Sequence, residues 1–167
     1  MTKASTLKFL NGKIKEAKIL DFYFFTVNSY TKNKKGIIKN IENKFGKNFL
    51  LIIRSSAVDE DKMYKSSAGK YDSILNVKKN NLEKSIERVI KSYSKKSANN
   101  QVLVQPMLKN IYSSGVFFSI EPNKNTDYYV INYNLGGDST KVTSGKKCIS
   151  EFIYKNKYQE ISQYSKR

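Results

Sequence analysis

Five consecutive apolar residues, Phe49 to Ile53, stop abruptly at Arg54. A run of that length rich in branched side chains suits a strand buried on both faces, since a strand with one wet face would alternate apolar and polar positions. Such a strand needs other elements packed against it, and helical periodicity supplies them. Ile37, Ile38, Ile41 and Phe45 recur at helical spacing, which predicts a lysine-rich amphipathic helix over Thr31 to Lys44 with Gly46 at its C-cap. Leu82, Ile86, Val89, Ile90 and Tyr93 share one face of a second helix, opened at Asn80 by an Asn-x-x-Glu box that Glu83 closes. Thr2 to Leu10 reads as a short helix with a threonine cap, and Lys18 to Thr26 as an apolar extended segment entering the core. After a polar break at Ser94 to Asn100 come three strand-like segments, Gln101 to Gln105, Gly115 to Ile120 and Tyr128 to Tyr133. Turn residues at Pro122-Asn123 and Asn134 to Gly137 follow the second and third of these. The tail from Cys148 fits strand or helix. With no internal repeat, this mixed order points to an α+β or α/β domain.

The net charge of +17 raises the question of nucleic acid, because clustered cations displace counterions from a phosphate backbone. All 31 cations except Arg54, Arg88 and Arg167 are lysines, spread along the whole chain among Asn, Ile, Tyr and Ser. Arginine is the better residue for bidentate base or phosphate contacts, so a solvated lysine surface is the favoured reading and a basic RNA-binding module the alternative. One cysteine, Cys148, cannot form an internal disulfide, and with no histidine there is no Cys/His metal site. The longest uncharged apolar run, Phe22 to Val27, falls far short of a membrane span, and no signal peptide opens the chain; a cytoplasmic location is the default.

Beyond the apolar run the chain continues Arg54-Ser55-Ser56-Ala57-Val58-Asp59-Glu60-Asp61, then Ser66-Ser67-Ala68-Gly69, then Ser73-Ile74-Leu75-Asn76-Val77. An arginine at the end of a rigid strand offers a fixed fork of donors to phosphoryl oxygens, and a loop of small residues lets backbone N–H groups approach them. On chemistry alone, pairing of Arg54 with Asp59 or Asp61 is an equal alternative. The spacing of these blocks resembles the nucleotide-binding domain of phosphoenolpyruvate synthases and pyruvate phosphate dikinases, an ATP-grasp-like fold. Three further blocks follow that family's order. Lys3 to Leu7 resembles its opening Gly-x-Lys-x-x-x-Leu, Gln105-Pro106-Met107-Leu108 resembles Val-Gln-x-Met-Val, and Ser114 to Ser119 resembles Ser-Gly-Val-x-Phe-Thr.

The resemblance implies ATP as the cofactor and gives each matching residue a role. Lys3 would contact the terminal phosphates and Arg54 would bridge the β- and γ-phosphates, making these two the candidate catalytic residues. Ala68 and Gly69 would lie in the loop over the phosphates. Gln105, Met107 and Leu108 would form the adenine hinge, although without the family ordinary core packing is the favoured reading of Met107 and Leu108. Gly115 reads as structural, admitting a close backbone approach. Asn134 to Asp138 follows the family's Gly-Leu-Gly-Glu only loosely, and Asp138 is given no role.

Family members bind magnesium through an Asp-Ile-Glu segment and a Gln-x-Arg-Pro segment, neither of which occurs before Arg167, and pass the phosphoryl group through a histidine on a separate domain. The resemblance therefore implies a truncated α+β, ATP-grasp-like domain, with no metal ligands of its own and Mg2+ held beyond residue 167. Residues 1–100 would form the first lobe and 101–167 the adenine hinge and an incomplete second lobe, with nucleotide between them. The missing C-terminal domains of the same polypeptide would complete an ATP-dependent phosphotransferase acting on a small-molecule acceptor, with this fragment inactive alone. Tyr128 to Gly145 looks closer to divergent members found with surface-polysaccharide genes, among which is a kinase that phosphorylates the amide of L-glutamine for capsule synthesis. A pyruvate-water dikinase and a degenerate regulatory module are the alternatives within the family.

Overall fold

The computed structural model describes residues 1–167 except 47, 49, 59–70, 96, 122–125, 137–141, 143–147 and 156–167. The chain divides into two compact units, Met1–Met107 and Leu108–Arg167. The architecture is mixed α+β, with one antiparallel sheet in each unit.

The first unit runs α1 (Lys3–Leu10), β1 (Tyr23–Thr26), α2 (Val27–Lys32), α3 (Lys34–Phe45), β2 (Leu51–Ser56), β3 (Ser73–Val77), a single 3-10 turn at Lys79–Asn81, α4 (Leu82–Ser92) and β4 (Gln101–Pro106). Its strands lie in the order β1-β4-β2-β3. Three helices begin at side-chain caps: Thr2 Oγ1 accepts from Ser5 N–H, Thr26 Oγ1 from Ser29 N–H, and Asn33 Oδ1 from Gly36 N–H. The helix expected from Thr31 therefore divides at Asn33, which ends α2 and caps α3. Gly46 closes α3 at φ 84°, a left-handed conformation that costs glycine little. The box expected at Asn80 does not form. The 3-10 turn leads into α4 without a side-chain cap, and Glu83 pairs instead with Lys34.

Because side chains alternate along a strand, β2 turns Leu51, Ile53 and Ser55 to one face and Ile52, Arg54 and Ser56 to the other. Leu51, Ile53, Val102, Val104 and Phe25 meet Ile37, Ile41, Ile86 and Val89 in one buried cluster, so α3 and α4 cover the first face. Both faces of β4 are buried from Val102 to Gln105, whereas Ile52 and Arg54 of β2 are only partly so. A one-residue shift in the β2/β3 pairing lets Ile74 and Val77, three apart, oppose Ile53 and Leu51 on the core side. Asn76, within that bulge, has φ 56°.

The second unit is a three-stranded antiparallel sheet, β5 (Ser113–Phe118), β6 (Tyr128–Leu135) and β7 (Ile149–Tyr154). The tail from Cys148 thus begins as a strand paired with β6. Gly115 faces Tyr133 across the ladder, and a Cβ there would come within 2.6 Å of the Asn132 carbonyl oxygen and 2.8 Å of the Tyr133 Cβ. Only glycine fits that approach. The turn expected at Pro122-Asn123 and the acidic position Asp138 lie outside the described residues.

Candidate functional site

The second face of the first sheet carries the residues of interest. Arg54 stands opposite Leu103, and Ile52 opposite Gln105, so Arg54 and Gln105 share this face on adjacent strands. Gln105 is almost completely buried, and Arg54 is partly buried. Among the described residues Arg54 makes no ion pair. The alternative partners considered for it, Asp59 and Asp61, lie outside the described residues, as do Ala68 and Gly69.

Helix α1 docks on the same face one step along. The Ala4 N–H donates to Ser56 Oγ at 2.9 Å, and the Thr2 hydroxyl donates to Gln101 Oε1 at 2.6 Å. Ser56 and Gln101 are themselves cross-strand partners. Lys3, the first helical residue, is therefore held on the side of the sheet that carries Arg54. Behind this corner, the Tyr93 hydroxyl accepts from Ser56 N–H at 3.2 Å and donates to the Gln101 carbonyl, bridging the last rung between β2 and β4. Asn100, also buried, accepts from Val58 N–H and donates to the Lys95 carbonyl, fixing the chain just past β2.

At the far end of β4, Pro106 opposes Leu51 where no ladder bond is required, and the Met107 N–H donates to the Leu50 carbonyl at 2.8 Å. The Met107 N–H is thus committed to the sheet. Leu108, 53% exposed, begins the second unit.

The strongest electrostatic cluster belongs to a different place. Lys34 Nζ lies 2.6 Å from Glu83 and 2.5 Å from Glu87, joining the start of α3 to α4. A cation in the first turn of a helix opposes the helix dipole, and these two carboxylates offset that. Hydrogen bonds from Lys34 to Glu83 and Glu87 hold its ammonium above the usual lysine range, while the bond to Lys34 lowers Glu87. Burial pushes the neighbouring Tyr30 phenol up to about 12. This cluster staples helices together and offers no open ligand. Among the described residues no group of three or more His, Cys, Asp or Glu side chains is arranged to hold a metal ion, so no magnesium ligands are assigned. No helix among them is long and apolar enough to cross a membrane.

A cationic side chain beside small residues on an otherwise neutral sheet face fits a phosphate-bearing ligand. A family model described as pyruvate phosphate dikinase, AMP/ATP-binding domain, matches residues 29–166, well over half of the chain. The chain belongs to that family. Membership makes this an ATP-binding domain of dikinase-type kinases, and it does not favour a nucleic-acid-binding module. The matched span takes in Arg54, Gln105, Met107 and Leu108, and begins after α1 and β1, so Lys3 lies outside it. No curated protein matches the chain.

No sequence pattern marks Tyr93, Asn100 and Ser56 as parts of this corner. The helical spacing of Tyr93 points to the core, and nothing in it marks its hydroxyl as a bridge between strands.

Proposed function

We propose that this chain binds ATP through Arg54 and the adjoining small-residue segment, as the nucleotide-binding part of an ATP-dependent phosphotransferase. The observation that supports this most is Arg54 itself. Arg54 is partly buried on the sheet and has no carboxylate partner among the described residues, which leaves its guanidinium available for a bidentate phosphate contact. Lys3 adds a second cation, and the Ser66 to Gly69 segment adds backbone donors over the phosphates. Gln105, Met107 and Leu108 form the adenine hinge. With the Met107 N–H bonded to Leu50, base-edge reading in this proposal falls to the carbonyls of the hinge and the Leu108 N–H. Magnesium, when bound with ATP, would neutralise phosphate charge, and no described residue is assigned to hold it. The chain contains no histidine, so in this reading a phosphorylated histidine intermediate would form on another polypeptide segment.

The acceptor in this reading is a small metabolite, L-glutamine first and pyruvate second. Glutamine is supported only by the likeness of Tyr128 to Gly145 to capsule-associated members, together with a role in capsule synthesis in the cytoplasm. Equilibrium dialysis against ATP and against unrelated oligonucleotides tests the binding claim. Saturable ATP binding that persists at physiological salt is expected, and steeply salt-dependent oligonucleotide binding without ATP binding would contradict it. Phosphorus NMR of the protein, together with the histidine-bearing segment this reading calls for, with ATP, magnesium and either glutamine or pyruvate tests the acceptor. A phosphoramidate signal is expected; phosphoenolpyruvate in its place makes the protein a pyruvate-water dikinase.

A further inference from the structure

We infer that Ser56 is a positioning residue: with Thr2 and Gln101 it docks α1 on the sheet so that Lys3 and Arg54 serve one polyphosphate. The inference rests on Arg54 being a phosphate ligand. A triphosphate spreads several negative charges over its length, and cations on separate elements can share it only if their separation is fixed. Ser56 has the position to fix it. It lies two residues beyond Arg54 on the same face of β2, about 7 Å along the strand, and it is fully buried. Its hydroxyl takes the N–H of Ala4, the residue next to Lys3.

Apolar packing is a weak guide to this register. The only fully buried residue of α1 is Ala4, whose single methyl presents little surface for burial to act on. The polar contacts are specific where that contact is not. The first turn of a helix has free N–H groups that need acceptors. Thr2 takes the Ser5 N–H from within the helix, whereas the Ala4 N–H is taken by Ser56 from 52 residues away. The Thr2 hydroxyl then reaches Gln101 on the neighbouring strand. Two bonds to two adjacent strands stop the helix from sliding along either. The Tyr93 hydroxyl, bonded to Ser56 N–H and the Gln101 carbonyl, keeps both acceptors in place.

A double-mutant cycle on ATP affinity, read by calorimetry, tests this. Lys3→Ala in the otherwise unchanged chain weakens ATP binding about tenfold, and in the Ser56→Ala background by less than about twofold, because the lysine is no longer held at the phosphates. Adenosine binding stays unchanged in every variant. A merely structural serine would lower the melting temperature and leave the tenfold effect of Lys3→Ala intact. Should Ser56→Ala fail to fold by circular dichroism, the same cycle is read with Gln101→Leu, which removes the Thr2 contact and leaves the α1 cap in place. A full Lys3→Ala effect in these backgrounds, or none in the unchanged chain, overturns the inference while Arg54 stands. An Arg54→Ala protein that is folded and binds ATP normally removes the phosphate reading beneath it, and the inference with it.

Discussion

In the first unit the sheet hides Leu51, Ile53, Val102 and Val104 beneath α3 and α4, whereas in the second only Val130 of the described apolar strand residues is buried. Phe117, Leu135, Phe152 and Tyr154 there are all more than half exposed. The two sheets are therefore held by different forces. The first gains its stability from apolar area removed from water. Among described residues the second relies on its ladders and on cross-strand pairs such as Phe117 with Tyr129 and Tyr128 with Tyr154, with ring centroids 5.4 and 5.2 Å apart. A well-packed first face also frees the opposite face of the first sheet for polar work, and that is where Arg54, Ser56 and Gln105 stand.

The largest effect that sharpens this contrast is expected in the first core. Ile86→Ala leaves a cavity between α4 and the sheet and costs about 2 to 5 kcal/mol in urea unfolding. Phe152→Ala on the exposed side of β7 costs less than about 1 kcal/mol. Equal losses would mean that the outer strand is covered after all. An intermediate effect belongs to Gly115, where the second sheet is tight despite its exposed side chains. Gly115→Ala forces a methyl against Asn132 and Tyr133 and costs about 1 to 3 kcal/mol, and a neutral result would show that β5 and β6 can move apart freely.

The smallest effect concerns acid. Glu87 is held below its ordinary value, chiefly by its hydrogen bond to Lys34. A lowered carboxylate contributes stability that is present above the unfolded-state value, about 4.3, and is lost as pH falls through the folded one. Melting temperature should therefore drop on acidification across that range, and Glu87→Gln should flatten the drop slightly. The pair is exposed to solvent, so added salt should weaken the difference. A variant with the same acid profile as the parent would remove Lys34 and Glu87 from the account.

The sequence made the first sheet more legible than the second. The apolar run ending at Arg54 and the face from Leu82 to Tyr93 have clear periods, and both became elements of the core. β3 shows no strand pattern in the sequence because its bulge spaces Ile74 and Val77 three apart, breaking the strand period of two. α2 is not legible because six residues give little more than one turn of periodicity; Thr26 followed by Ser29 is its local signal, a cap. β5 begins at Ser113, two residues before the expected start, since serine at an exposed edge carries no apolar mark. For the site, the order of motifs identified Arg54 and Gln105 separately. That they share a face follows from the pairing of Ile52 with Gln105, a long-range register that no local pattern encodes.

The central claim is that Arg54 meets the phosphates of ATP, and isothermal calorimetry of the parent and Arg54→Ala proteins with ATP tests it most directly. Losing a charge-assisted contact costs about 1.5 to 3 kcal/mol, so affinity should fall roughly tenfold or more while the fold, followed by circular dichroism, is unchanged. An Arg54→Ala protein that is folded and binds ATP as tightly as the parent would contradict it.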